Sequence, residues 1–135
     1  MYDSLWHLEE CGLKIDGAGF VADFGGGVGL FTAFSDTGAK IVDMKGSKSP
    51  YQGWMPINPP GPHEHRPIPT PVLKGRFSGA KRIVGVFYPY CGGESRVTGV
   101  KASDDISDKS FSIILSDGRE VTLTEPDFSA AGGAD

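Results

Sequence analysis

The sequence predicts an all-β protein, an antiparallel β-sandwich of about ten short strands with one long Pro-rich loop. Three observations lead there. Short runs of alternating apolar and polar residues recur about every 8 to 12 residues, separated by Gly, Asp and Pro. The 135 residues include 20 glycines and 10 prolines, well above ordinary usage and suited to tight turns. No segment carries the periodicity of an amphipathic helix.

The chain opens on Ser4–Cys11, where Trp6 and Leu8 share a parity opposite to His7, so a strand with both apolar side chains inward is expected. Leu13–Ile15 follows and ends in Asp16-Gly17, a pair suited to the positive φ of a hairpin turn, after which Phe20–Phe24 returns. The run Gly25-Gly26-Gly27-Val28-Gly29 superficially resembles a phosphate-binding loop. A strand, Leu30–Phe34, follows it in place of the required helix, so a glycine turn feeding a strand is expected, with Gly29 marking a bulge or a close backbone approach. Lys40–Lys45 alternates again. Val72–Phe77 and Arg82–Tyr90 are the next strands, the second apolar on both parities and expected to be central, with Pro89 ending its ladder. Arg96–Ala102, a polar reversal over Asp104–Lys109, and a hairpin of Phe111–Leu115 and Glu120–Thr124 about Ser116-Asp117-Gly118 complete the scaffold.

Between the middle strands lies Ser49–Pro71, which holds eight of the ten prolines together with His63, His65 and Trp54. Proline fixes φ, lacks an N–H donor and pushes the preceding residue towards extended geometry, so a stiff irregular loop is expected here.

Composition bounds the rest. A single domain over residues 1–128 and a frayed small-residue tail over 129–135 are expected. A formal charge of −4 gives no reason to expect nucleic acid, although Lys74, Arg76, Lys81 and Arg82 cluster locally. No apolar run approaches the roughly 18–20 residues of a membrane helix, so no membrane partner is expected. Cys11 and Cys91 are too few and too distant for a cysteine framework, and two buried free thiols are expected.

Several side chains carry possible chemistry. His63-Glu64-His65 can place two imidazoles on one face of an extended segment, with a third metal ligand to come from His7, Asp43 or another distant acid. Solvated loop histidines are the competing reading. Tyr51, Gln52 and Trp54 combine flat apolar rings with hydrogen-bonding tips, the composition of a sugar-binding surface. Against this, Trp54 can pin the long loop to the sandwich while its Nε1 finds a carbonyl. Tyr88, beside Pro89, is a further candidate for substrate contact. Asp104, Asp105 and Asp108 lack the spacing of a calcium loop and suit a solvated turn.

Leu5-Trp6-His7-Leu8, Pro50-x-x-Gly53-Trp54, Pro69-Thr70-Pro71-Val72 and Ile83-Val84-Gly85-Val86-Phe87-Tyr88-Pro89 together resemble the C-terminal β-domain of heparinase II/III-like polysaccharide lyases. The resemblance runs from about Leu5 to Val100. It implies a larger parent protein in which an N-terminal helical toroid precedes this sandwich, an acidic polysaccharide such as a glycosaminoglycan as partner, and a bacterial, periplasmic or exported setting. The family's reaction is β-elimination: a base takes the C5 proton of a uronate whose carboxylate is neutralised, and the glycosidic oxygen leaves protonated. Most of that machinery belongs to the toroid, so the resemblance implies a non-catalytic, accessory portion, with His7 a candidate cleft residue. Some members hold a structural zinc in the β-domain through His and Asp side chains. The alternatives are a free-standing carbohydrate-binding module, which needs an exposed platform at Trp54 and Tyr51, a metal-dependent cupin-like barrel enzyme, and a structural interaction module with an exposed apolar face.

Overall fold

The computed structural model describes residues 2–36, 38–56 and 64–125. These form fourteen strands and no helix. In chain order the first seven are β1 (Tyr2–Leu5), β2 (Gly12–Asp16), β3 (Gly19–Gly25), β4 (Val28–Phe34), β5 (Lys40–Asp43), β6 (Ser47–Lys48) and β7 (Tyr51–Gln52). They are followed by β8 (Trp54–Pro56), β9 (His65–Pro67), β10 (Pro71–Gly75), β11 (Gly85–Cys91), β12 (Val97–Ala102), β13 (Ser110–Leu115) and β14 (Glu120–Thr124). The fold is all-β and sandwich-like, as the sequence predicts. The strands outnumber the expected ten because β6–β9, the four short strands around the proline segment, pair as two small hairpins.

Two sheets enclose the main core. One has the order β1-β10-β5, the other β11-β4-β3-β2, and every pairing in them is antiparallel. Alternation decides what each contributes. Phe20 and Ala22 point inward from β3, Phe34 and Leu30 from β4, Ile41 from β5 and Leu73 from β10, with Trp6, Leu8 and Leu13 packed around them. Trp6 stacks on Phe34 with ring centroids 5.2 Å apart, and Phe87 closes the cluster at 5.5 Å from Trp6. The expected inward parity of Trp6 and Leu8 is therefore observed. Their backbone prolongs the first ladder, since Trp6 N donates to Pro71 O at 3.1 Å and Leu8 N to Pro69 O at 3.0 Å.

The third sheet, β12-β13-β14, lies against β4 and β11. Val97 and Val100 are buried there. The turn at Ser116–Gly118 forms as expected, with Asp117 Oδ1 accepting the Arg119 N–H at 3.0 Å.

Three expectations need correction. β11 is an edge strand, and Pro89 pairs with Leu30 inside its ladder instead of ending it. Proline fits there because one side of an edge strand has no ladder to feed, so a missing N–H costs nothing on that side. The proline segment is also less irregular than expected. Ile68, Pro69, Thr70 and Pro71 rank among the most completely buried side chains of the chain. Finally, both cysteines are free, but Cys91 is exposed and Cys11 half-buried. The tail and most of the Pro-rich tip, including His63, lie outside the described residues.

Candidate functional site

The candidate site is built on the hairpin β6–β7. Ser47 faces Gln52 and Lys48 faces Tyr51 across it, with a cis peptide between Ser49 and Pro50 at the turn. Ser47 Oγ donates to Pro50 O at 2.8 Å and fixes the turn from within. The chain then pivots at Gly53, whose φ of 73° is reserved in practice for glycine. Gly53 O accepts from Gly46 N at 3.0 Å and from Ile68 N at 2.9 Å, tying both arms of the proline segment to one buried carbonyl.

This pivot brings Trp54 under the hairpin. Its Nε1 donates to Ser47 O at 2.9 Å while the ring is half-buried, so the expected pinning role is observed. Tyr51 lies flat on Trp54, with ring centroids 5.7 Å apart and an interplanar angle of 6°. Tyr51 is 64% exposed. Trp54 thus acts as the anchor and Tyr51 as the solvent-facing surface of one aromatic pair, with Gln52 and Lys48 beside it.

Charged side chains line the nearby strands. Arg66 on β9 reaches Glu9 at 3.3 Å, and Lys45 reaches Glu10 at 2.9 Å. The hydrogen bond from Lys45, reinforced by its charge, holds the Glu10 carboxyl below its ordinary range. Burial pushes the adjacent Cys11 thiol up, with the Glu10 and Asp43 charges adding to it. Arg66 and Glu9 are missed by sequence reasoning, because they lie 57 residues apart and only the tertiary fold brings them together.

The other candidates divide. His7 is exposed on the continuation of β1, with the parity expected for it. Asp43 is committed to structure, since its Oδ1 accepts the N–H groups of Lys45 at 3.0 Å and Thr70 at 2.9 Å. His65 is exposed on β9 and faces Pro56. His63 lies outside the described residues. Among the described residues no three His, Cys, Asp or Glu side chains gather to hold a metal. His7, Asp43 and His65 therefore supply no zinc or cupin-like donor set, and no chemical step is derived through one. Tyr88 stands apart from the hairpin on β11, in a cleft of about 400 Å³ shared with Arg96 and Arg119. Asp105 and Asp108 cap the reversal that contains them, accepting from Ser107 N and Ser110 N at 2.8 Å each.

No protein-family model, curated protein or solved structure matches the chain.

Proposed function

We propose that this chain is a non-catalytic carbohydrate-binding β-domain, an accessory portion of a heparinase II/III-like polysaccharide lyase that holds an acidic polysaccharide for a helical catalytic domain. The observation that carries the proposal is the Tyr51 ring, 64% exposed and stacked parallel on Trp54 at 5.7 Å. The C–H face of a pyranose packs on such a ring, and a ring already held by its neighbour loses little freedom on binding. Lys48, directly across the hairpin from Tyr51, places a positive charge beside the platform, which suits a polymer bearing carboxylates or sulfates. The resemblance of the sequence motifs to those of the lyase β-domain supports the choice of polymer.

Calorimetric titration with heparin, polygalacturonate and a neutral glucan tests this. Tyr51→Ala should weaken binding of the acidic polymer roughly threefold to tenfold, the equivalent of about 0.5–1.5 kcal/mol of ring contact, without lowering the melting temperature. Lys48→Glu should weaken the acidic polymers alone. Unchanged affinity in Tyr51→Ala would remove the platform from the reading, and appearance of unsaturated-uronide absorbance with this chain alone would contradict its non-catalytic part.

A further inference from the structure

The β11-β4-β3-β2 sheet has a second face, turned away from the main core, that the third sheet covers only at one end. There β12 residues Thr98–Val100 oppose the Phe31–Phe34 half of β4. Strand register fixes what the uncovered end carries. Gly12 pairs with Asp23, Asp23 with Gly29, and Gly29 with Tyr90, giving one row across four strands. The next row, Lys14, Val21, Phe31 and Tyr88, is where the third sheet begins to cover this face.

The two glycines of the first row leave room for a ring. Tyr90 lies directly over Gly29, where any side-chain carbon would collide with its hydroxyl and ring. A wall rises beside it from the β3–β4 turn, where Gly26 and Gly27 have φ of 63° and 78°, and Gly93 N latches that wall by donating to Gly27 O at 3.0 Å. The result is an open cleft of about 580 Å³ bordered by Lys14, Asp23, the glycine turn and Tyr90, within the roughly 300–1,000 Å³ range of small-ligand sites. Asp23 Oδ1 is occupied by the Gly25 N–H at 2.8 Å. Lys14 makes no ion pair with another described residue.

We infer that this glycine-walled cleft is a second saccharide site, distinct from the Tyr51 platform, that takes a uronate-type pyranose. The ring face packs on Tyr90, hydroxyls reach Asp23 Oδ2 and the peptide N–H groups of the turn, and the carboxylate pairs with Lys14. An aromatic floor with one cation and one acceptor at its rim fits a polyhydroxylated ring bearing a single negative charge better than a bare anion, which Asp23 would repel. The ligand class rests on the carbohydrate reading above, whereas the location rests on the register and the cleft alone.

The test is an amide NMR titration of the full chain with digalacturonate, and with lactose as the neutral control. Saturable shifts at Gly25–Gly29, Gly92 and Gly93 are expected with digalacturonate, at an affinity at least fivefold above that for lactose. Lys14→Ala should weaken them at least fivefold, Tyr90→Ala should abolish them, and Tyr51→Ala should leave them unchanged. Lys14 is exposed, so its replacement should leave the fold intact and decides the outcome if Tyr90→Ala disturbs the strand. Undiminished affinity in Lys14→Ala overturns the inference. Shifts confined to residues 51–54 overturn it while sparing the platform, and shifts nowhere overturn both.

Discussion

The Asp43 carboxylate accepts the backbone N–H of Thr70 at 2.9 Å, closing a span of 27 residues that contains the whole aromatic hairpin. The same oxygen holds Lys45 N at 3.0 Å, and Met44 N donates to Thr70 O at 2.9 Å beside it. One side chain therefore fixes where the proline segment leaves the β1-β10-β5 sheet and where it returns. Asp43→Ala strands two donors, one of them on the buried Thr70, and should cost about 1–3 kcal/mol in urea denaturation. Asp43→Asn, which keeps an acceptor oxygen, should recover part of that. An unshifted midpoint in Asp43→Ala would contradict the role.

Gly53 should be far less replaceable than a glycine at an open turn. A Cβ there would collide with the Met44 carbonyl oxygen and lie 2.8 Å from both Gly46 N and Lys45 Cα, at a φ of 73°. Backbone cannot give way as a flexible side chain can. Gly53→Ala should cost more than about 2 kcal/mol, whereas Gly118→Ala, with a φ of 84° and nothing within 4 Å of the new Cβ, should cost only about 1 kcal/mol. Equal losses at the two sites would show that φ alone sets the penalty.

Thr32 is completely buried between Phe20 and Phe87 on neighbouring strands, and its Oγ1 has no hydrogen-bond partner among the described residues. A buried hydroxyl without a partner carries its desolvation cost uncompensated. Thr32→Val keeps the branched shape and β propensity while removing that atom, so a gain of about 1 kcal/mol is expected. Thermal and chemical melts read it directly, and a loss of stability would mean that the hydroxyl is satisfied in solution.

The turn carboxylates set an acid limit. Hydrogen bonds from Ser107 N and then its hydroxyl hold Asp105 below its ordinary range, and those from the Ser110 hydroxyl and then its N–H do the same for Asp108. A depressed folded value means stability that is fully present above the unfolded value and lost as pH falls through the folded one. The melting temperature should therefore hold from neutrality to about pH 5 and decline below about pH 4. Asp105→Asn should make the decline shallower, and an identical acid profile would count against the capping role.

Much of the candidate site was legible in the residues themselves. Tyr51, Gln52 and Trp54 advertise an aromatic surface, and a partly buried tryptophan in a proline segment needs a carbonyl for its N–H. Which residue would lie on Trp54 was not legible, because the answer depends on the left-handed pivot at Gly53 and on Ser47 coming within reach. Where the candidate ligands would lie was not legible for a related reason: among the described residues no three His, Cys, Asp or Glu side chains gather, and His63 lies outside them. Sequence shows that His7, Asp43 and His65 have ligating atoms, but not that Asp43 Oδ1 accepts from the Lys45 and Thr70 N–H groups.

By itself the sequence determined the all-β class, the Asp-Gly and Gly-rich turns and the inward parity of Trp6 and Leu8. Those properties are local: φ preferences of Gly, Pro and Asp and a side-chain period of two act within a few residues. Only the tertiary structure decided that β11 is an edge, that Asp43 clamps Thr70, and that Gly12, Asp23, Gly29 and Tyr90 share one row. Each of these depends on which strands lie side by side and in what register, and that is settled by burial and hydrogen bonding between residues far apart in the chain.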